Sequence, residues 1–171
     1  NHRHQAAIGA RFRRQPAFRP GTMSKAFLAA ALCHDPLLVT VLDRKVALQP
    51  ATLSDYAVVW AADYPSGWLS ARSGARAEGM LALDLSAGDQ ARLDYVHAVF
   101  GLFPEQAEVS SGGAAMSCRI WVPDAPRAGP AWDALAWQPD WAGLVTATVG
   151  DIMALYGHCL LYTSPSPRDR G

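Results

Sequence analysis

The chain has 171 residues, of which 50% are apolar and 18% charged, and its formal net charge is zero. This length and composition fit one globular domain with a packed core and exclude wholesale disorder. No apolar run approaches the roughly 18 residues that a membrane-spanning helix requires. Three cysteines do not make a disulfide scaffold, so we expect reduced cysteines and a cytoplasmic location.

The zero net charge conceals a division along the chain. Residues 1–22 contain five arginines and no acidic residue, whereas residues 23–158 contain eight basic and fourteen acidic residues. A basic flank can bind nucleic acid or a membrane surface. The acidic domain, however, lacks the clustered cations that neutralise phosphates. We therefore expect 1–22 to be a non-native or disordered leader, and we expect neither nucleic acid nor a membrane as a partner.

The C-terminal residues 159–171 also differ from the rest. They contain two Ser-Pro pairs, which do not continue a helix because proline lacks an N–H and restricts the residue before it. The segment reads like the translation of a sequencing-library adapter. We expect 159–171 to be an adapter-derived tail, which leaves 23–158 as the domain.

The first predicted elements follow directly after the leader. Residues 26–32 are short and apolar, which predicts a buried first strand. Asp35 followed by proline predicts an N-cap, and apolar residues at helical spacing predict a helix over 36–43. Aromatic and β-branched residues predict a strand over 56–60, bounded by a turn over 64–67.

The middle of the domain predicts two strands and a helix. The strands cover 68–72 and 78–85. Ser86 and Asp89 have the spacing of a capping box, which predicts a helix over 87–96.

The remaining segments complete the predicted fold. Two strands are predicted over 106–110 and 116–122, followed by a loop over 123–130. Asp140 is the predicted cap of a final helix that Gly157 ends. Many short strands with three inserted helices favour the α+β class, with a small, mostly antiparallel β-barrel and flanking helices.

Composition and spacing alone point to little catalytic chemistry. Cys33 and His34 are adjacent, and because neighbouring side chains point apart we do not expect a thiol–imidazole pair. The cysteines and histidines of the domain lack metal-ligand spacing, so we expect no metal. We interpret Asp89 and Asp94 as residues of a solvated helix face, since five-residue spacing does not bring them together.

His97 lies at the end of the predicted 87–96 helix and has two interpretations. A cationic histidine at a helix C-terminus is favoured by the helix dipole. A titrating imidazole in a pocket is the alternative.

Five short motifs occur in a characteristic order. They are Leu-Cys-His-Asp-Pro-Leu-Leu at 32–38, Gln-Pro-Ala-Thr-Leu at 49–53, Ala-Asp-Tyr-Pro at 62–65, Ala-Glu-Gly-Met-Leu at 77–81 and Ala-Arg-Leu-Asp-Tyr at 91–95. In this order they resemble the γ-glutamylcyclotransferase-like family over roughly residues 26–122. The segment 137–157 is similar to a bacterial subgroup in which such a domain precedes a Nudix hydrolase domain.

The resemblance implies a compact β-barrel and a defined chemistry. Members of the family convert γ-glutamyl amines into 5-oxoproline and free amine, without a cofactor, by attack of the substrate's own α-amine on its γ-carbonyl. A Tyr-Gly-[Ser/Thr]-Leu turn after the first strand holds the carboxylate with backbone amides. A glutamate after the helix moves the proton.

Both family sites are altered in this chain. The turn aligns with Ala29, Ala30, Ala31 and Leu32, and with the following Cys33 these are the candidate substrate-binding residues. Their backbone amides can face an anion without any side chain, although a left-handed turn is costly without glycine. The glutamate position aligns with His97, which the resemblance makes the candidate catalytic residue.

Two functions remain open from the sequence. One is a cyclotransferase-like enzyme with a degraded site, in which His97 is the proton shuttle for a γ-glutamyl or other small anionic metabolite. The other is a non-catalytic binding or regulatory module that precedes a Nudix domain. An unrelated small α+β domain is the third possibility.

Overall fold

The structure is a computed structural model that describes residues 23–158. The predicted leader, 1–22, and the predicted adapter-derived tail, 159–171, lie outside the described residues. Within 23–158, no helix is both long and apolar enough to cross a membrane.

Five strands close into a barrel. They are β1 (Ser24–Leu28), β2 (Leu48–Trp60), β3 (Gly67–Leu85), β4 (Phe103–Ser111) and β5 (Ala114–Val122). Their order around the barrel is β1-β3-β2-β4-β5. All neighbouring pairs are antiparallel except β1 and β5, which run parallel and close the barrel. The predicted small, mostly antiparallel barrel is confirmed.

β2 and β3 are longer than the sequence predicted. β3 is one strand where we expected separate strands over 68–72 and 78–85, and β2 begins well before the predicted strand at 56–60. The two strands pair along most of their length, so the polar stretch of β3 forms an exposed part of one ladder. Asp55, with a φ of 66°, accepts a hydrogen bond from the amide of Gly74 at 2.9 Å and marks a register shift.

The first strand ends earlier than the predicted range of 26–32. β1 stops at Leu28, and Ala30–Cys33 form a single 3₁₀ turn. Ala30 has a φ of 56°, which takes the chain out of extended geometry and ends the pairing of β1. The turn leads directly into α1 (Asp35–Leu42).

Helix α1 confirms the helix predicted over 36–43, but its cap was predicted incorrectly. His34 is the N-cap residue and makes no side-chain capping hydrogen bond, while Asp35 is the first helical residue. The proline that follows still fits the first turn, because its missing N–H would have had no partner there. Four apolar residues of α1 are buried, namely Leu37, Leu38, Val41 and Leu42.

Helix α2 (Ala87–Val99) begins with the predicted capping box. Ser86 Oγ accepts from the amide of Asp89 at 3.1 Å, and the carboxylate of Asp89 accepts from the amide of Ser86 at 2.9 Å. Arg44 also donates to that carboxylate. Asp89 is therefore buried, at 4% exposure, and our interpretation of it as a solvated residue was wrong.

Helix α3 (Ala134–Ala154) begins earlier than predicted. The cap is Asp133, whose carboxylate accepts from two amides of the first turn; the predicted cap Asp140 lies inside the helix. Pro139 is also inside it. Trp137 holds this first part of the helix in place, because it is 2% exposed and its indole N–H donates to a carbonyl of the turn before β3 at 2.7 Å.

The buried apolar residues form two clusters. One fills the barrel; its members are Phe27, Ala51, Leu53, Leu69, Ala77, Leu81, Val109, Cys118, Ile120 and Val122. The other packs the three helices and the 3₁₀ turn against the barrel wall, and it includes Leu28, Val41, Leu93, Trp121 and Trp137. The second cluster surrounds the cavity described below.

Candidate functional site

A mostly apolar cavity of about 200 Å³ lies between the barrel and the helices. Five segments of the chain line it: the turn after β1, the first part of α1, the turn before β3, the end of α2 with the residues that follow it, and the middle of α3. The lining residues are Ala29, Ala31, Leu32, Leu37, Tyr64, Pro65, Ser66, Gly67, Val96, His97, Phe100, Leu102, Leu144, Val145, Thr148 and Val149. An apolar cavity of 150 Å³ holds a benzene, so this one has room for a small organic molecule.

The cavity brings together four of the six candidate site residues. Ala29, Ala31, Leu32 and His97 line it, whereas Ala30 and Cys33 do not. The turn is tightly seated, since a Cβ added to Gly67 would lie 2.9 Å from the Cβ of Ala30. The first amides of the 3₁₀ turn, including those of Ala31 and Leu32, have no carbonyl partner within that turn.

Cys33 is turned away from the cavity. Its thiol donates to the carbonyl of Leu28 at 3.2 Å, and burial raises its pKa to about 11. His34 lies edge-on to Trp137, with ring centroids 5.6 Å apart. Within 23–158, no three His, Cys, Asp or Glu side chains are grouped so that they could hold a metal ion.

His97 is held in a fixed orientation at the cavity wall. Its Nδ1 lies 2.7 Å from the carbonyl of Leu93. Because a carbonyl only accepts, Nδ1 carries the proton and Nε2 keeps its lone pair. The imidazole stacks on Trp121, with centroids 4.1 Å apart and an interplanar angle of 2°.

The ring of His97 is neutral at physiological pH. Burial lowers its pKa to about 4, against smaller opposing effects of the Leu93 carbonyl and of Asp94. A charged histidine stabilised by the helix dipole is therefore not what the structure shows, although His97 does lie in the last turn of α2. A neutral imidazole at a cavity wall can accept a hydrogen bond or a proton at Nε2.

A network behind His97 fixes the ring on which it stacks. The carboxylate of Asp94 accepts from the indole N–H of Trp121 at 2.8 Å and from Arg119 at 2.6 Å. Asp94 is thus partly buried and paired, which corrects our expectation of a solvated residue. Trp121 is 3% exposed, so the surface under His97 is rigid.

Tyr64 adds a polar group that the sequence analysis did not assign to the site. Its hydroxyl accepts a hydrogen bond from the indole N–H of Trp68, which leaves its own proton to donate. Burial raises the pKa of Tyr64 to about 12, so the hydroxyl stays protonated. The ring centroids of Tyr64 and Phe100 lie 4.8 Å apart, and both residues line the cavity.

Solved structures with the same fold are found at low sequence identity. At3g28950.1 from Arabidopsis thaliana has a TM-score of 0.59 at 16% identity, over 91% of this chain and 92% of that one. A γ-glutamyl cyclotransferase has a TM-score of 0.54 at 10% identity, over 75% of this chain and 86% of that one. The fold is γ-glutamyl cyclotransferase-like. No family model matches the sequence, and neither does any curated protein.

A third similar structure is longer than this chain. YkqA from Bacillus subtilis shares the cyclotransferase-like fold, with a TM-score of 0.53 at 13% identity over 75% of this chain. The chain spans about half of YkqA, since the match covers 54% of it. The fold predicted from the resemblance is thus confirmed, whereas the joined Nudix domain stays a prediction.

The site residues that sequence analysis missed fall in two groups. Tyr64, Pro65 and Ser66 lie in or next to the Ala-Asp-Tyr-Pro motif, so that motif was a usable signal. The α3 residues of the lining, such as Leu144 and Val149, carry no local signal, because only the packing of α3 brings them to the cavity.

Proposed function

We propose that this domain binds a small metabolite with a γ-glutamyl-type carboxylate in the cavity between the turn after β1 and His97. One observation carries the proposal: Ala31 and Leu32 of the 3₁₀ turn line the same cavity as His97 of α2. The cyclotransferase-like fold is consistent with it.

The carboxylate of such a ligand would be held by backbone amides. No cationic side chain is among the lining residues, so we assign the anion to the amides at the start of the 3₁₀ turn, which have no carbonyl partner within that turn. A carboxylate that accepts two or three backbone N–H bonds is well stabilised without a cation. The hydroxyl of Tyr64 supplies a further donor.

Binding is better supported than rapid catalysis. In cyclotransfer, the α-amine nitrogen of the ligand bonds to the γ-carbonyl carbon, the amide C–N bond breaks, and the proton lost by the α-amine goes to the leaving amine. A base with a pKa of about 4 accepts that proton weakly, because each unit of pKa mismatch costs about 1.4 kcal/mol. We infer a slow or silent site.

An enzymatic function is the second candidate, and one observation favours it. Nδ1 of His97 is anchored on Leu93, so Nε2 has a fixed position from which to relay a proton between the two nitrogens of the substrate. A regulatory role beside a Nudix domain remains a proposal from the sequence.

Binding is tested by calorimetry with γ-glutamyl-n-butylamide on the wild-type chain. We expect saturable binding that weakens at least roughly tenfold in His97→Ala, the scale of one lost buried polar contact. The matched control is His158→Ala, since His158 is exposed and outside the cavity lining. Absence of binding to a folded wild-type chain would refute the proposal.

Catalysis is tested by measuring 5-oxoproline by chromatography. We expect little product from wild type and more from His97→Glu, because the burial that lowers the pKa of a histidine raises the pKa of a carboxylate and makes it a stronger base. A missing base typically costs about 10²–10⁴ in rate. Rapid turnover by wild type that His97→Ala abolishes would instead establish the enzymatic function.

A further inference from the structure

We infer that the amine portion of the bound γ-glutamyl ligand is uncharged and apolar. This inference rests on the proposed function and adds the class of the second half of the ligand. It concerns the part of the cavity that α3 forms.

The lining provides nothing to pair with a charged substituent. It contains no Asp, Glu, Lys or Arg, and its polar side chains are Tyr64, Ser66, His97 and Thr148. The ammonium and carboxylate of the glutamyl portion neutralise each other, but a further charged group taken from water into such surroundings loses its hydration without gaining a partner, which costs several kcal/mol. An aliphatic or aromatic group gains from the same transfer.

The cavity is too small to enclose both halves of an extended ligand. At about 200 Å³ it exceeds the volume that holds a benzene by only a modest margin. The glutamyl portion would occupy most of it, so the amine substituent would extend towards the rim.

Leu144 marks that rim, one helical turn after the exposed Trp141 of α3. It lines the cavity yet is 57% exposed, so its side chain borders both the cavity and solvent. Trp141 precedes it by three residues, which places both side chains on one face of α3, and it is 39% exposed. A substituent leaving the cavity would therefore contact Leu144 and Trp141.

The test compares two γ-glutamyl amides of equal length by calorimetry. One carries an n-pentyl group and the other a 4-aminobutyl group, which replaces the terminal methyl by an ammonium. We expect the pentyl amide to bind roughly tenfold more tightly, within the range that apolar pockets give for such a change.

A charge placed at the rim should change this preference. In Leu144→Asp we expect the pentyl amide to bind more weakly and the aminobutyl amide to bind more tightly, because its ammonium can pair with the new carboxylate. The ratio of the two affinities should therefore fall at least roughly fivefold. Leu155→Asp is the control, because Leu155 is 52% exposed at the C-cap of the same helix and does not line the cavity. Trp141→Ala is a second variant. It should weaken the binding of the pentyl amide and leave the binding of the aminobutyl amide unchanged.

The outcomes separate this inference from the proposed function. Equal binding of both amides by wild type, or a ratio that Leu144→Asp and Trp141→Ala leave unchanged, would overturn the apolar assignment while leaving γ-glutamyl binding intact. If neither amide binds, the proposed function itself fails. Thermal unfolding of each variant establishes that it is folded.

Discussion

Ala30 is the residue at which this chain departs most clearly from its own backbone preference. Its φ of 56° is in the left-handed region, which costs a residue with a Cβ about 1–2 kcal/mol. Ala30 aligns with the glycine of the turn motif in the γ-glutamylcyclotransferase-like family, which the sequence resembles. The turn thus keeps its left-handed conformation without glycine, which adopts it without steric cost. The strain is expected to lower the stability of the domain.

Glycine substitutions in the turn measure this strain. Ala30 and Ala31 are both buried, at 9% and 6% exposure, so each loses a comparable methyl contact. We expect Ala30→Gly to be about 1–2 kcal/mol more stable than Ala31→Gly in equilibrium urea unfolding. Equal stability of the two variants would show that the left-handed conformation costs nothing here.

The pKa of His97 links its environment to stability. The folded-state pKa of about 4 lies below the unfolded value of about 6.5, so the unfolded chain binds more protons between these pH values. Stability should therefore rise with pH from about 4 to about 6.5 and then level off, with a slope of at most about 1.4 kcal/mol per pH unit that partial exposure of the ring reduces.

The variant His97→Gln isolates that contribution. In urea unfolding across pH 4 to 8, the stability difference between wild type and the variant should change below pH 6.5 and stay constant above it. A difference that is constant over the whole range would contradict a depressed pKa.

At the residue scale, the sequence predicted the site in part. The resemblance made His97 and the alanine turn candidates for one site, and His97 lines the same cavity as three residues of the predicted turn segment, Ala29, Ala31 and Leu32. Tyr64 was missed because its role depends on a hydrogen bond from Trp68. That bond forms only when the start of β3 packs against the turn that contains Tyr64. Asp94 was misread because its partners, Arg119 and Trp121, come from β5.

At the scale of elements, the distance from a glycine to the atoms around it decides whether a residue with a Cβ can replace it. A Cβ on Gly79 of β3 would lie 2.3 Å from the backbone oxygen of Leu28 in β1, and paired backbones cannot move apart cheaply. Gly143 is helical and exposed on α3, and a Cβ there would meet nothing within 4 Å.

Alanine at these two glycines should have opposite effects. We expect Gly79→Ala to destabilise the protein by about 3 kcal/mol through overpacking, and Gly143→Ala to stabilise it by about 1 kcal/mol through helix propensity. Thermal and urea unfolding measure both. A neutral Gly79→Ala would mean that β1 and β3 are not packed as closely as described.

Elements with a local signal were predicted well, and elements set by distant contacts were not. The capping box of α2 is local, and the prediction was confirmed. The start of α3 was misplaced because proline and the charged Asp140 suggested a boundary, whereas the burial of Trp137 extends the helix back to Asp133. We predicted two strands in place of the long β3 because its middle residues are polar. In the structure these residues pair with β2 outside the core.

At the scale of the molecule, the barrel brings separate segments to one cavity. The turn after β1, the end of α2 and the middle of α3 are far apart in sequence, and the lining joins them. Under the proposed function, such a site could persist when its side chains change, because backbone amides would hold the anion. The fold class was predictable from strand and helix signals, but the α3 wall of the cavity was not.

NMR titration with γ-glutamyl-n-butylamide tests whether the turn and His97 bind the same ligand. We expect the ligand to shift the amide signals of Ala31 and Leu32 together with the ring signals of His97, and to leave the amide signals around Gly112, at the end of β4, unchanged. Shifts confined to other parts of the barrel, or no shifts at saturating ligand, would contradict an anion site at the turn beside the imidazole.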